Sequence, residues 1–249
     1  MCSIVILRRP TDMWPVVVAA NRDEMRDRPW LPPARHWPDR PEVTAGLDEL
    51  AGGTWLGLND AGVVAAVLNR VSTLGPAPGK RSRGELPLEA LDHADAALAV
   101  EALTDLDPQA YRPFNMVVAD NRDAFWLRSD GVEVKAAPLP EGVSMITAFD
   151  RNDTADPRIA RHLPRFRAAA APQPGDDQWG EWPALLASGD TAADERPTAA
   201  MCFMTERGFG TVSSSLIALP AIGAEVPPRW LFSDGPPDAA PFRPVPLRG

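Results

Sequence analysis

Cysteine is scarce in this chain, with two copies in 249 residues. Cys2 and Cys202 allow one disulfide at most, and they form neither a CxxC pair nor a Cys/His zinc spacing. The three histidines, His36, His93 and His162, share no spacing either. No metal site and no catalytic histidine are therefore expected. Basic charge is also short: 25 Lys and Arg stand against 34 Asp and Glu, a formal net charge of −9. Such a surface repels phosphate backbones, so no nucleic-acid partner is expected. No apolar run approaches the roughly 20 residues of a membrane span. Arg8 and Arg9 follow the short apolar run 3–7 instead of preceding it, unlike a signal peptide. These absences read together as a cytoplasmic protein in a reducing compartment.

Proline, by contrast, is abundant. Its 28 copies are about twice the usual share of roughly 5%. They gather in residues 28–41 and in the tail beyond Leu219, beside Trp30, Trp37, Trp230 and Phe232. Aromatic residues in those stretches predict irregular but docked segments. The chain is read as one domain, 1–249, with a Pro-rich C-terminal extension from about residue 220.

Short apolar runs predict strands at 3–7, 16–20, 54–58 and 63–68, with Asn59-Asp60-Ala61-Gly62 as a hairpin turn. Their hydrophobicity is nearly continuous, which predicts a sheet covered on both faces. A helix is expected from about residue 84, carrying Leu88, Leu91, Ala94 and Leu98 on one face. Strands follow at 114–119, 124–128, 132–136 and 144–148. Asp156-Pro157 marks the start of a second helix, which Pro164 should kink or shorten. A third helix at about 179–187 and strands near 201–204 and 210–219 complete the pattern. Asn-Arg-Asp occurs at 21–23 and again at 121–123, where it reads as a turn between strands. The order β-rich, α, β-rich, α, β does not alternate as βαβ units do. It predicts an α+β protein, a four-layer αββα sandwich of two antiparallel sheets.

Five segments, MCSIVIL, AANRDEMRDRPW, AGGTWLGLNDAGVVAAVLNR, SRGELPLEAL and FNMVVAD, together resemble the NRDE family, which includes the Transport and Golgi organisation protein 2 homologues. The similarity runs from residue 1 to about 219, and the pairing of NRDE with GGTWLG is specific. That family is similar to N-terminal-nucleophile (Ntn) hydrolases of the choloylglycine hydrolase and penicillin V acylase type, which implies the same αββα fold. The resemblance implies Cys2 as nucleophile, Arg22 near the thiol and Asp23 near the α-amine. It implies Asn69 as an oxyanion donor and Asn152 as a second Asn of the site. Asn21 and Trp55 are candidates for the substrate-binding wall. Two departures stand out: Val212 occupies a position where family members often carry Arg, and ITAFDRND at 146–153 replaces the usual Leu-Ser-Asn run.

The chemistry asked of these residues is specific. A thiolate is the reactive form of cysteine. Removal of Met1 leaves thiol and α-amine on one residue, and an amine of reference pKa near 7.7–8.0 can take the thiol proton. The expected function is a cysteine-nucleophile hydrolase of an amide or thioester acyl bond, with no required cofactor. The alternative is a non-catalytic carrier that uses the same pocket for haem, acyl-CoA or another lipid. Arg158, Arg161 and Arg165, at i, i+3 and i+7, read as a solvated helix face able to receive an anionic head group.

Overall fold

The computed structural model describes residues 2–247. In chain order its strands and helices are β1 (Ser3–Arg8), β2 (Val16–Met25), β3 (Trp30–Ala34), β4 (Val43–Asp48), β5 (Leu56–Asn59) and β6 (Val64–Asn69). Then come α1 (Glu85–Leu91), α2 (Ala96–Thr104), β7 (Phe114–Ala119), β8 (Ala124–Ser129), β9 (Val134–Pro138) and β10 (Gly142–Ile146). The chain continues with α3 (Pro157–Ala168), α4 (Trp182–Leu186), β11 (Phe209–Leu219), β12 (Arg229–Ser233) and β13 (Arg243–Pro244). All strand pairings are antiparallel.

The structure groups the chain into two compact units, both of them discontinuous in sequence. The first unit joins the N-terminal 28 residues to Pro140–Val245. Its sheet has the order β10-β1-β2-β11-β12-β13. Period-two alternation sends Val5, Leu7, Val17, Ala19, Leu216 and Ala218 to one face. There they pack with Ile159, Leu163 and Phe166 of α3 and Trp182, Leu185 and Leu186 of α4. Ile4, Ile6, Val16 and Val18, on the other face, are buried as well. A sheet buried on both faces explains the unbroken apolar runs of β1 and β2.

The second unit comprises Pro29–Leu139 and the tail from Pro246. Its seven strands run in sequence order from β3 to β9, with α1 and α2 packed on Val43, Ala45, Ala65 and Met116. The glycines of GGTWLG mark close approaches. A Cβ on Gly53 would lie 2.4 Å from the Gly84 carbonyl carbon, and one on Gly57 would lie 2.6 Å from Leu91 Cδ1.

Several boundaries differ from expectation for identifiable reasons. The single helix expected from residue 84 is two, because Asp95 caps a new one by accepting from Leu98 N–H at 2.8 Å. Leu98 consequently turns outward and is half exposed. The Pro-rich stretch 28–41 contains β3, whose Pro32 and Pro33 are tolerated because it is an edge strand with a register shift. The tail beyond 220 is part of the first sheet through β12 and β13. Residues 201–204 form only an isolated bridge, Met204 to Gly210. Helix α3 runs through Pro164, and Asn121-Arg122-Asp123 is the turn between β7 and β8, fastened by Asp120 Oδ1.

Two predictions follow from this packing. Replacing Gly53 by Ala drives a methyl into the Gly84 backbone and should lower stability by about 2 kcal/mol, read from chemical denaturation. His162, fully buried on α3, is pushed down to about 4 by burial and by the nearby Arg165 and Arg158 cations. The unfolded chain therefore binds a proton near 6.5 that the native protein refuses, so stability falls as pH drops from about 6.5 toward 4. The loss between pH 6.5 and 5 should vanish in His162→Leu, measured by thermal unfolding across that range.

Candidate active site

In the first unit β1 and β2 pair with Ser3 opposite Asn21 and Ile4 opposite Ala20. One step further in that register sets Cys2 opposite Arg22, with both side chains on the sheet face away from α3 and α4. The half-buried Cys2 is gripped by main chain: its Sγ accepts from the Asp23 N–H at 3.4 Å, and its S–H donates to the Asp23 carbonyl at 3.6 Å. Burial, followed by the charge of the Asp23 carboxylate, pushes this thiol up from its ordinary range. The Asp23 N–H and the Arg22 guanidinium pull in the opposite direction without reversing the shift.

Asp23 turns its side chain to the opposite face. Its Oδ2 accepts from Arg158 Nη1 at 2.9 Å, an ion pair whose side chains are 2% and 0% exposed. Its Oδ1 accepts from Thr211 Oγ1 at 2.9 Å. Arg158 also donates from Nε and Nη2 to the Thr198 carbonyl, at 3.1 and 2.8 Å. Its guanidinium lies 5.2 Å from the centroid of the Phe203 ring. The pairing is the reason two charges can sit inside the protein at all.

Strand β11 serves both faces because of a bulge. Thr211 pairs with Asp23 and Ser213 with Arg22, and the register shifts between them at Val212. Without the extra residue, Thr211 and Ser213 would point the same way. With it, Thr211 reaches the carboxylate while Ser213, on the face of Cys2 and Arg22, has a buried hydroxyl with no hydrogen-bond partner among the described residues. Val212 is buried in the bulge, and the cation beside Asp23 comes from α3.

The other sequence candidates have definite places. Asn21 Nδ2 donates to the Leu186 and Met201 carbonyls, both at 2.9 Å, and its Oδ1 accepts from Ser214 Oγ at 2.7 Å. That side chain ties β2 to the helix layer, and both amide hydrogens are used. Asn152 adopts φ 59° and is bound to the main chain of Met145 through its own N–H and its Oδ1, each at 2.8 Å. It fastens the turn after β10. Asn69 and Trp55 lie in the second unit. Asn69 ends β6 opposite Phe114. Trp55 rests on Gly46, where any Cβ would collide with its ring, and meets Trp30 edge to face at 5.8 Å.

The expected solvated arginine face of α3 is corrected by the structure. Arg158 is fully buried, while Arg161 pairs with Glu195 at 2.8 Å and Arg165 with Asp190 at 2.7 Å. The apolar residues Ile159, Leu163 and Phe166 defined too narrow a buried stripe. Arg158 and His162 share that side of the helix, and the i, i+4 spacing of these two was the available signal. Thr211 and Ser213 carried none, since a bulge has no sequence signature here.

Comparison with known proteins shows the family and the fold of this chain. The Transport and Golgi organisation 2 family matches residues 1–171. The chain belongs to that family. The mouse Transport and Golgi organization 2 homolog is 34% identical over 108 residues, and the bovine homolog 36% over 110. Each alignment covers 42% of this chain and 38% of the relative, so the chain matches well under half the length of these curated relatives. Among solved structures, a Caenorhabditis elegans N-acylethanolamine-hydrolyzing acid amidase ortholog superposes with TM-score 0.56 at 13% identity, covering 99% of this chain and 100% of that one. A conjugated bile acid hydrolase from Clostridium perfringens gives 0.52 at 12% identity, covering 99% and 97%. The family member thus has the αββα fold of Ntn hydrolases. Among the described residues no helix is long and apolar enough to cross a membrane, and no group of His, Cys, Asp or Glu is arranged to hold a metal.

Thiol reactivity gives a direct check on the site. In protein that keeps Met1, the raised Cys2 pKa leaves little thiolate at pH 7.5. Iodoacetamide should label Cys2 more slowly than free cysteine, and faster as pH rises. Cys202, buried and pushed up to about 12, should stay unlabelled until the protein is unfolded.

Proposed function

We propose that this family member is a hydrolase of acyl amides or thioesters that uses Cys2 as an N-terminal nucleophile. The observation that carries this reading is the placement of Cys2 Sγ. It lies on one sheet face with Arg22 and in the grip of the Asp23 main chain, backed by a buried carboxylate. Neighbours of the same fold include an N-acylethanolamine-hydrolyzing amidase and a bile acid hydrolase, which makes acyl transfer the natural chemistry to test.

The raised thiol pKa is an argument for processing. With Met1 attached, the nitrogen of Cys2 is an amide and cannot act as a base. Once Met1 is removed, the free amine accepts the thiol proton, and the thiolate attacks the acyl carbon. The tetrahedral intermediate collapses, the ammonium returns its proton to the leaving amine or thiol, and an S-acyl enzyme remains. Water then attacks the acyl group with the amine again as base, releasing the carboxylic acid and restoring the thiol. Arg22 favours the thiolate during the first step. Asp23, whose carboxylate is held by Arg158 and Thr211 on the far face of the sheet, is assigned in this reading to orienting the α-amine.

In Met-processed protein, Cys2→Ser should lower turnover of a small acyl amide or thioester by about 100-fold or more, because serine lacks an accessible anion. Affinity for the substrate should change little. Retention of Met1 should be equally damaging. The carrier reading predicts the reverse: no hydrolysis by processed wild type, with haem or acyl-CoA bound tightly and equally by Cys2→Ser. That result would reject the hydrolase.

A further inference from the structure

We infer that Arg158 is a positioning residue for Cys2, acting through Asp23 from the opposite face of the sheet; this rests on the reading of Cys2 as the nucleophile. The connection is short. Arg158 Nη1 holds Asp23 Oδ2 at 2.9 Å, and the N–H and C=O of that same Asp23 hold Cys2 Sγ at 3.4 and 3.6 Å. Arg158 itself has little freedom, since Nε and Nη2 both donate to the Thr198 carbonyl and the guanidinium covers Phe203. A guanidinium with two anchors holds a carboxylate more firmly than an ammonium of the same charge.

Two consequences follow for the thiol. Geometrically, the ion pair fixes the Asp23 peptide and hence the two contacts on Sγ. Electrostatically, the positive charge of Arg158 offsets the carboxylate, whose own field disfavours a thiolate at Cys2. Among the described residues, the charges that act on the Cys2 thiol are those of Asp23 and Arg22 on β2; Arg158 on α3 is paired with the Asp23 carboxylate, and β11 contributes the uncharged Thr211 and Ser213. His162, one turn along α3, is neutral across the neutral range. Arg158 is thus the cation that makes a buried acidic residue of β2 compatible with a reactive thiol at the start of the neighbouring strand β1.

The test does not need a substrate. Met-processed wild type, Arg158→Gln, Arg158→Lys and the double variant Asp23→Asn/Arg158→Gln are alkylated with iodoacetamide from pH 6 to 10. Modification of the N-terminal peptide is followed by mass, with rates corrected for the folded fraction. Arg158→Gln should move the midpoint of the profile up by about half to one pH unit, a three- to tenfold slower reaction at pH 7.5. Arg158→Lys should recover part of the shift. The double variant, which lacks both charges, should return close to wild type. An Arg158 that only braces the fold would lower the unfolding temperature and leave the profile of the folded protein unmoved; that outcome, or a faster reaction in Arg158→Gln, overturns the inference. Absence of hydrolysis by wild type would overturn the hydrolase reading alone, because the alkylation profile reports the thiol whether or not the protein turns over a substrate.

Discussion

The buried ion pair between Asp23 and Arg158 is the constraint on which the candidate site depends. Two charges at 2% and 0% exposure are stable only together, and removing either leaves an uncompensated charge that costs about 3–5 kcal/mol. The pair joins residues 135 positions apart, fastening α3 to the end of β2. Thr211 adds a third element, β11, by donating to the remaining carboxylate oxygen. The end of β2 therefore has a fixed peptide plane, and Cys2 takes its two hydrogen-bonding contacts from that plane.

Alternation along the strands divides the work. Residues 19, 21 and 23 of β2 face the helices, where Asn21 and Asp23 are held by α4, by the segment before β11 and by α3. Arg22 faces the other way with Cys2. An NRDE tetrapeptide at the end of a strand thus supplies buried hydrogen bonds on one side and sets Arg22 on the face of Cys2 on the other. The bulge at Val212 allows β11 to match this division, offering Thr211 to one face and Ser213 to the other. The apolar residue at 212 is compatible with the arrangement because Arg158 brings the needed cation from a helix.

Much of this was legible from residues alone. The apolar runs of β1, β2, β6, β7 and β11 are long enough to identify, and Asp156-Pro157 marks the start of α3 correctly. Both sheets and their antiparallel character follow from the element order. What was not legible depends on contacts distant in sequence. Arg158 looks like a surface residue until Asp23 is placed beside it. Strand β3 hides behind two prolines that only its edge position permits. Asn21, expected at the substrate wall, spends its amide on Leu186 and Met201, residues with no local relation to it. Periodicity reports which side of an element is apolar; it is silent about polar groups whose burial is made possible by a partner elsewhere.

The central claim is that Cys2 works as an N-terminal residue, with thiol and amine on one atom framework. The most direct measurement is the intact mass of the protein isolated from its native host, before and after exposure to a thiol-reactive acyl donor. The account predicts a mass lower by one methionine residue and a single acyl adduct on Cys2. Protein that fully retains Met1 in its native host and forms no adduct would contradict it.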